Sequence, residues 1–187
     1  YGMDRFFELT KMANFPYISC NFNKHGELQF APYVIKEFDG VKIAFVGIST
    51  PKTLTSSTPK YFQDENGNFI YGFFEDETGE KLYAAVQKAV DDARAEGAQF
   101  VIAMAYLGNE SECEPYTYAD VIANTSGINA MLDGTIEENL FVGNLPGKGA
   151  MVDYKTLDEK TQEVLDELEI SVGPRSLARP LNSGQLQ

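Results

Sequence analysis

The spacing of apolar and polar residues changes several times along this chain, and each change marks an element. YVIKEF at 33–38 and VKIAFVGIS at 41–49 flank Asp39-Gly40, a dipeptide that favours a two-residue hairpin turn. The second arm is apolar on both faces from Ile43 onward, which predicts a central strand. EKLYAAVQKAVDDARAE then repeats apolar residues at helical spacing. Leu82, Val86, Ala89, Val90 and Ala93 form its stripe, and Gly97 stops it. Two further apolar runs, VIAMAYLG at 101–108 and INAMLDGT at 128–135, end at small and polar residues, with the helical pattern YTYADVIANT between them. Strands that read this way are buried on both faces and deliver loops at their carboxyl ends. The order strand–helix–strand–helix–strand predicts a parallel α/β layer, and the hairpin before it makes the sheet mixed.

Weaker patterns surround this centre. DRFFELTKMA predicts a short helix capped by Asp4, with Phe6, Leu9 and Met12 near one face. YISCNF reads as a strand. KYFQDE and NFIYGFF flank Asn66-Gly67, a second expected hairpin. DENGN within it is a turn rather than a calcium loop, because its glycine comes too early and no bidentate Glu follows in place. ENLFVGNLPGKGAMVDY predicts a hairpin around Pro146–Gly149, and its GKG lacks the spacing of a phosphate-binding loop. TLDEKTQEVLDELEI is an amphipathic helix with a capping box at Thr156 and Glu159 and an apolar face of Leu157, Val164, Leu165 and Leu168. The Gly, Pro and Ser breakers of 171–187 predict a flexible tail. The chain divides accordingly into 1–134, 135–170 and 171–187.

Composition narrows the function. The 187 residues carry a net charge of −13, with a pI near 4.4. A nucleic-acid binder needs a basic face, and anionic membranes repel an acidic one, so neither partner is expected. No run reaches the length of a transmembrane helix. The opening YGMDRFFELTK lacks the basic start and apolar stretch of a signal peptide, and without a Met at position 1 the true start is expected upstream or cut away. Two cysteines define no disulfide by themselves. Glu110, Glu112 and Glu114 surround Cys113 and disfavour a nucleophilic role for it.

The residues FPYISCNF, FAPYVIKEFDGVKIAFVGISTPKT, GAQFVIAMAYLG, ECEPYTYADVIANTSGIN and MLDG follow one another in an order that resembles the catalytic domain of the bacterial 5'-nucleotidase family, within the calcineurin-like metallophosphoesterases. The resemblance covers Tyr1 to Gly134. It implies an α/β/β/α sandwich with a mixed sheet, present here in part, and two metal ions at strand ends that activate a water. Relatives of this kind are exported, whereas the chain itself assigns no compartment.

The same comparison locates a departure. Three of the family's metal-binding motifs precede the point that Tyr1 matches, so the chain reads as truncated at its N-terminus. Where the family has AHLG this chain has AYLG, with Tyr106 in the histidine position. Where the family has DGHSH it has DGTIEEN, with Thr135 at the first histidine. The single histidine, His25, falls in a turn. One imidazole does not rebuild a site that needs several His and carboxylate ligands.

The candidate catalytic residues are therefore Tyr106, whose hydroxyl can meet a phosphate oxygen or simply end a strand, and Asp133, which can orient a neighbour or cap the following loop. Asp133, Glu110 and Glu112 are the candidate ligands for at most a weakly bound divalent metal. Weak phosphoester hydrolysis on a small molecule is the first expectation. A non-catalytic, self-associating protein is the second, and a component completed by a partner chain is the third. Removal of central strands would open backbone edges, which either the C-terminal hairpin and helix of the same chain or a second copy must cover, so a homo-oligomer or strand-swapped dimer is one expectation.

Overall fold

The computed structural model describes residues 2–108, 113–134, 147–148, 151–152, 154–167 and 173–174. Its centre is a four-stranded sheet in the order β3-β4-β6-β7, formed by Tyr33–Phe38 (β3), Val41–Ile48 (β4), Phe100–Ala105 (β6) and Ala130–Asp133 (β7). β3 and β4 are antiparallel, with Phe38 opposite Val41 across Asp39-Gly40. Both turn residues have positive φ, 51° and 82°, as the hairpin signal requires. β4, β6 and β7 run parallel, as the alternating pattern predicts. The mixed sheet is thus observed, and β4 is internal to it.

One face of this sheet carries the core. Ala44, Val46 and Ile48 of β4 and Val101 and Ala103 of β6 are buried against Leu82, Val86, Ala89, Val90 and Ala93 of α3 (Glu80–Ala95). The stripe read from the sequence is the stripe that is buried, and Tyr83 joins it. Asp76 organises the start of α3 by accepting from the amides of Thr78, Gly79 and Lys81. Gly97 ends it at a φ of 96°. The crossover from β6 to β7 runs through α4 (Tyr118–Asn124), fixed at its start by a capping box between Thr117 and Asp120.

A second, aromatic cluster lies over a small sheet of Asn23–Lys24 (β1), Glu27–Leu28 (β2) and Tyr71–Gly72 (β5), ordered β2-β1-β5. Phe22, Phe62, Tyr71 and Phe73 are buried there, and Phe6 and Phe7 of α1 (Met3–Met12) pack on them. Phe22 stacks on Phe73 at 5.1 Å and on Tyr71 at 5.7 Å between ring centroids. His25 sits exposed in the β1–β2 turn at a φ of 50°.

Several local readings are corrected. α1 is capped by the extended backbone of Gly2, and Asp4 lies inside its first turn. Its buried side is Phe6 and Phe7 rather than Leu9 and Met12, because the aromatic cluster lies on that side; Met12 is 75% exposed. YISCNF is not a continuous strand. Ile18 makes one bridge to Ala31, and the chain then turns because the Ser19 hydroxyl takes the Phe22 amide. The Asn66-Gly67 hairpin reduces to the single bridge Gln63–Phe69. Pro59–Phe62 forms a 3-10 turn, α2 (Thr53–Ser56) precedes it, and Tyr71–Gly72 pairs with β1 instead. Asp64 closes that loop on the amides of Asn66 and Asn68.

Toward the C-terminus, Gly147–Lys148 (β8) pairs antiparallel with Met151–Val152 (β9), as the expected hairpin does. The helix α5 spans Tyr154–Glu167, so Thr156 stands within its first turn and the expected capping box is not its start. Leu157 and Leu165 are buried, and Val164 is half-buried. Leu168 and all but Gly173 and Pro174 of the expected tail lie outside the described residues. Among the described residues no helix is long and apolar enough to cross a membrane.

Candidate functional site

Parallel strands align their carboxyl ends, and that is where an open α/β sheet presents its loops. Here Ile48, Ala105 and Asp133 are neighbours in register across β4, β6 and β7. The next residues off the three strands are Ser49, Tyr106 and Gly134. The sheet thus brings Tyr106 and Asp133 to one end, as the sequence proposes, and adds Ser49 to them.

Asp133 is almost fully buried, and both of its oxygens are engaged. Oδ1 accepts from the Leu107 amide and Oδ2 from the Gly108 amide, each at 2.6 Å. One carboxylate therefore braces the loop that leaves β6. Burial raises its pKa above the ordinary carboxylate value, while the amides of Leu107, Gly108 and Gly134 oppose the rise by favouring the charged form. The Tyr106 ring lies against Gly134, where a Cβ would stand 2.6 Å from Cδ2. Gly134 is thus required by the close approach of Tyr106. Glu110, Glu112 and Thr135 lie outside the described residues.

At the end of β4 a polar network is built that sequence reading missed. Asn21 is fully buried. Its Oδ1 accepts from the Ser49 amide at 2.8 Å, and its Nδ2 donates to Ser49 O at 2.6 Å and to Phe73 O at 3.1 Å. Ser19 Oγ donates to Asn21 Oδ1 and sits 2.9 Å from Ser49 Oγ. The available signal was a pair of polar residues, Ser19 and Asn21, within the apolar run YISCNF; a buried amide needs several partners and so fixes a junction.

The two cysteines are free. Burial pushes the Cys20 thiol up to about 12, which makes it inert at neutral pH. Cys113 is also buried, with Lys52 Nζ 3.9 Å from its sulfur.

No family model matches the chain. Among solved structures, it is similar to the sulfate thiohydrolase SoxB of Thermus thermophilus, with 26% identity and a TM-score of 0.58 over 73% of this chain and 22% of that one. A Staphylococcus aureus protein assigned as a 5'-nucleotidase gives 14% identity and a TM-score of 0.54 over 72% of this chain and 26% of that one. The chain has a 5'-nucleotidase-type fold. It spans about a fifth to a quarter of the structures that share this fold. A different likeness is short: 60 residues, 35% identical, to the galactose/methyl galactoside import ATP-binding protein MglA of Sodalis glossinidius, covering 32% of this chain and 12% of that protein.

The family resemblance read from the sequence implies two metal ions at strand ends, a centre that needs several His and carboxylate ligands. Among the described residues no three His, Cys, Asp or Glu side chains come together to hold a metal ion. Asp133 gives both oxygens to backbone amides, and Tyr106 supplies a phenol where the family resemblance places a histidine. Among the described residues, Asp133 and Tyr106 by themselves do not make a binuclear centre of His and carboxylate ligands. Their geometry suits loop bracing.

Proposed function

We propose that this chain is a rearranged relative of 5'-nucleotidase-type phosphoesterases that retains the fold and at most weak phosphoester hydrolysis. The observation that carries the reading is the Asp133 carboxylate, which joins the ends of β6 and β7 through two 2.6 Å hydrogen bonds to Leu107 and Gly108. Each oxygen accepts an amide hydrogen bond from the loop after β6, so the carboxylate serves first to organise that loop. Tyr106 beside it offers one hydroxyl to a phosphate oxygen. The test is turnover of bis(p-nitrophenyl) phosphate across a manganese titration. The expected result is a rate within about tenfold of the manganese-containing buffer, since no activated hydroxide is generated. A manganese-dependent rate orders of magnitude higher, abolished by Tyr106→Phe, would overturn the reading.

A second reading, self-association without catalysis, rests on the sheet face opposite α3. Phe100 (47% exposed), Met104 (43%) and Leu132 (42%) point away from the core and form an apolar surface. A surface of this kind fits contact with another polypeptide. Sedimentation of the same preparation over a range of concentrations tests it, and a monomer throughout would remove it.

A further inference from the structure

A cavity of about 700 Å3 opens between α1, the segment at 17–22, α2 and the 3-10 turn at Pro59–Phe62. It differs in kind from the strand-end loop braced by Asp133. Its volume lies in the range of sites that enclose drug-sized molecules. None of the described residues that line it is charged, although the chain as a whole carries −13. Rings of Phe6, Tyr17, Phe22 and Phe30 supply one side, with Tyr17 stacked on Phe30 at 5.6 Å and Phe22 on Phe30 at 5.9 Å between centroids. An ionic ligand would lose its hydration here without a counter-charge, which is costly, so the occupant is uncharged. Aromatic walls favour a planar partner.

The opposite side is polar, and its polarity has a direction. Asn21 makes its four hydrogen bonds within the protein, accepting from the Ser49 amide and the Ser19 hydroxyl and donating to Ser49 O and Phe73 O. The amide orientation is fixed because the Ser49 N–H must meet an oxygen. Ser19 has one proton and two acceptors within reach, Asn21 Oδ1 at 3.2 Å and Ser49 Oγ at 2.9 Å. Ser19 Oγ also accepts from the Phe22 amide. With that proton on Asn21, Ser49 is the donor in the serine pair and spends its own proton on Ser19. In that arrangement Ser49, half-buried among the residues that line the cavity, has lone pairs to offer and no proton. A bound molecule that meets it must bring the proton.

We propose that this cavity binds an uncharged, planar aromatic molecule of about two or three rings that carries one N–H or O–H donor, and that Ser49 Oγ accepts from that donor. N-phenyl-1-naphthylamine has this chemistry, and its fluorescence rises in apolar surroundings. Its N-methyl analogue has the same rings without the donor. The full chain is expected to bind the amine saturably at one molecule per chain, and the N-methyl analogue about tenfold more weakly, the worth of one good hydrogen bond. Ser49→Ala should remove that preference by weakening the amine alone. Thr58→Trp, which fills the cavity mouth from an exposed position, should block both probes; Ser57→Trp serves if that variant does not fold. Absence of saturable binding, or binding untouched by a folded mouth variant, overturns the site. Equal affinity for amine and N-methyl analogue, or an unchanged preference in Ser49→Ala, overturns the assignment of Ser49.

Discussion

Replacing Asp133 with alanine is expected to lower the unfolding midpoint by about 10 °C. The carboxylate is nearly inaccessible and receives the amides of Leu107 and Gly108, both buried residues, at 2.6 Å. Alanine leaves these donors without partners in a place that water does not reach. Each costs about 1–3 kcal/mol, offset in part by relief from burying a charge, so the net loss is about 2–4 kcal/mol. Asp133→Asn should fall between wild type and alanine, because its amide keeps one acceptor and turns an N–H2 toward the second donor. Calorimetry of the three proteins gives the ordering. An alanine variant as stable as wild type would mean that the strand-end loop is held by something other than this carboxylate, and the functional reading built on it would fall.

Gly47→Ala should be at least as damaging, for a steric reason. A Cβ at this position would lie 2.2 Å from the Ile18 carbonyl oxygen and 2.6 Å from its carbon. Those are backbone atoms, and they are pinned. Ile18 bridges Ala31, the Ser19 amide donates to Ala31 O, and the Cys20 amide donates to Gly47 O itself. The strand or the crossing segment must move, and the Asn21 network moves with it. A cost of about 3 kcal/mol or more is expected in urea unfolding. Gly26→Ala is the control. Gly26 has a φ of 85° and open space around it, so a methyl group there meets only backbone strain of about 1 kcal/mol. Equal, small shifts for the two variants would show that the close crossing of the 17–22 segment over β4 is not maintained in solution.

The strength of the sequence reading follows the range of the interaction. The apolar stripe of α3 and the Asp39-Gly40 turn rest on residues close in sequence, whose period or turn chemistry admits one structure, and the parallel pair β6–β7 follows from the order strand–helix–strand. The positions of Tyr106 and Asp133 at strand ends follow from the same patterns. Readings failed where polar side chains or tertiary neighbours override local preference. Asp4 is displaced as a cap by Gly2, Thr156 lies within a helix that begins at Tyr154, and YISCNF breaks where Ser19 captures the Phe22 amide.

The partners of the buried polar groups were decided by the tertiary structure alone. Asn21 meets Ser49 and Phe73, 28 and 52 residues away, and Asp133 meets the loop 25 and 26 residues before it. Hydrophobic period specifies which face of a strand turns inward, because apolar burial is non-directional and needs only a face. A buried carboxylate or amide needs particular donors at particular distances, and only the path of the chain decides which backbone groups arrive there.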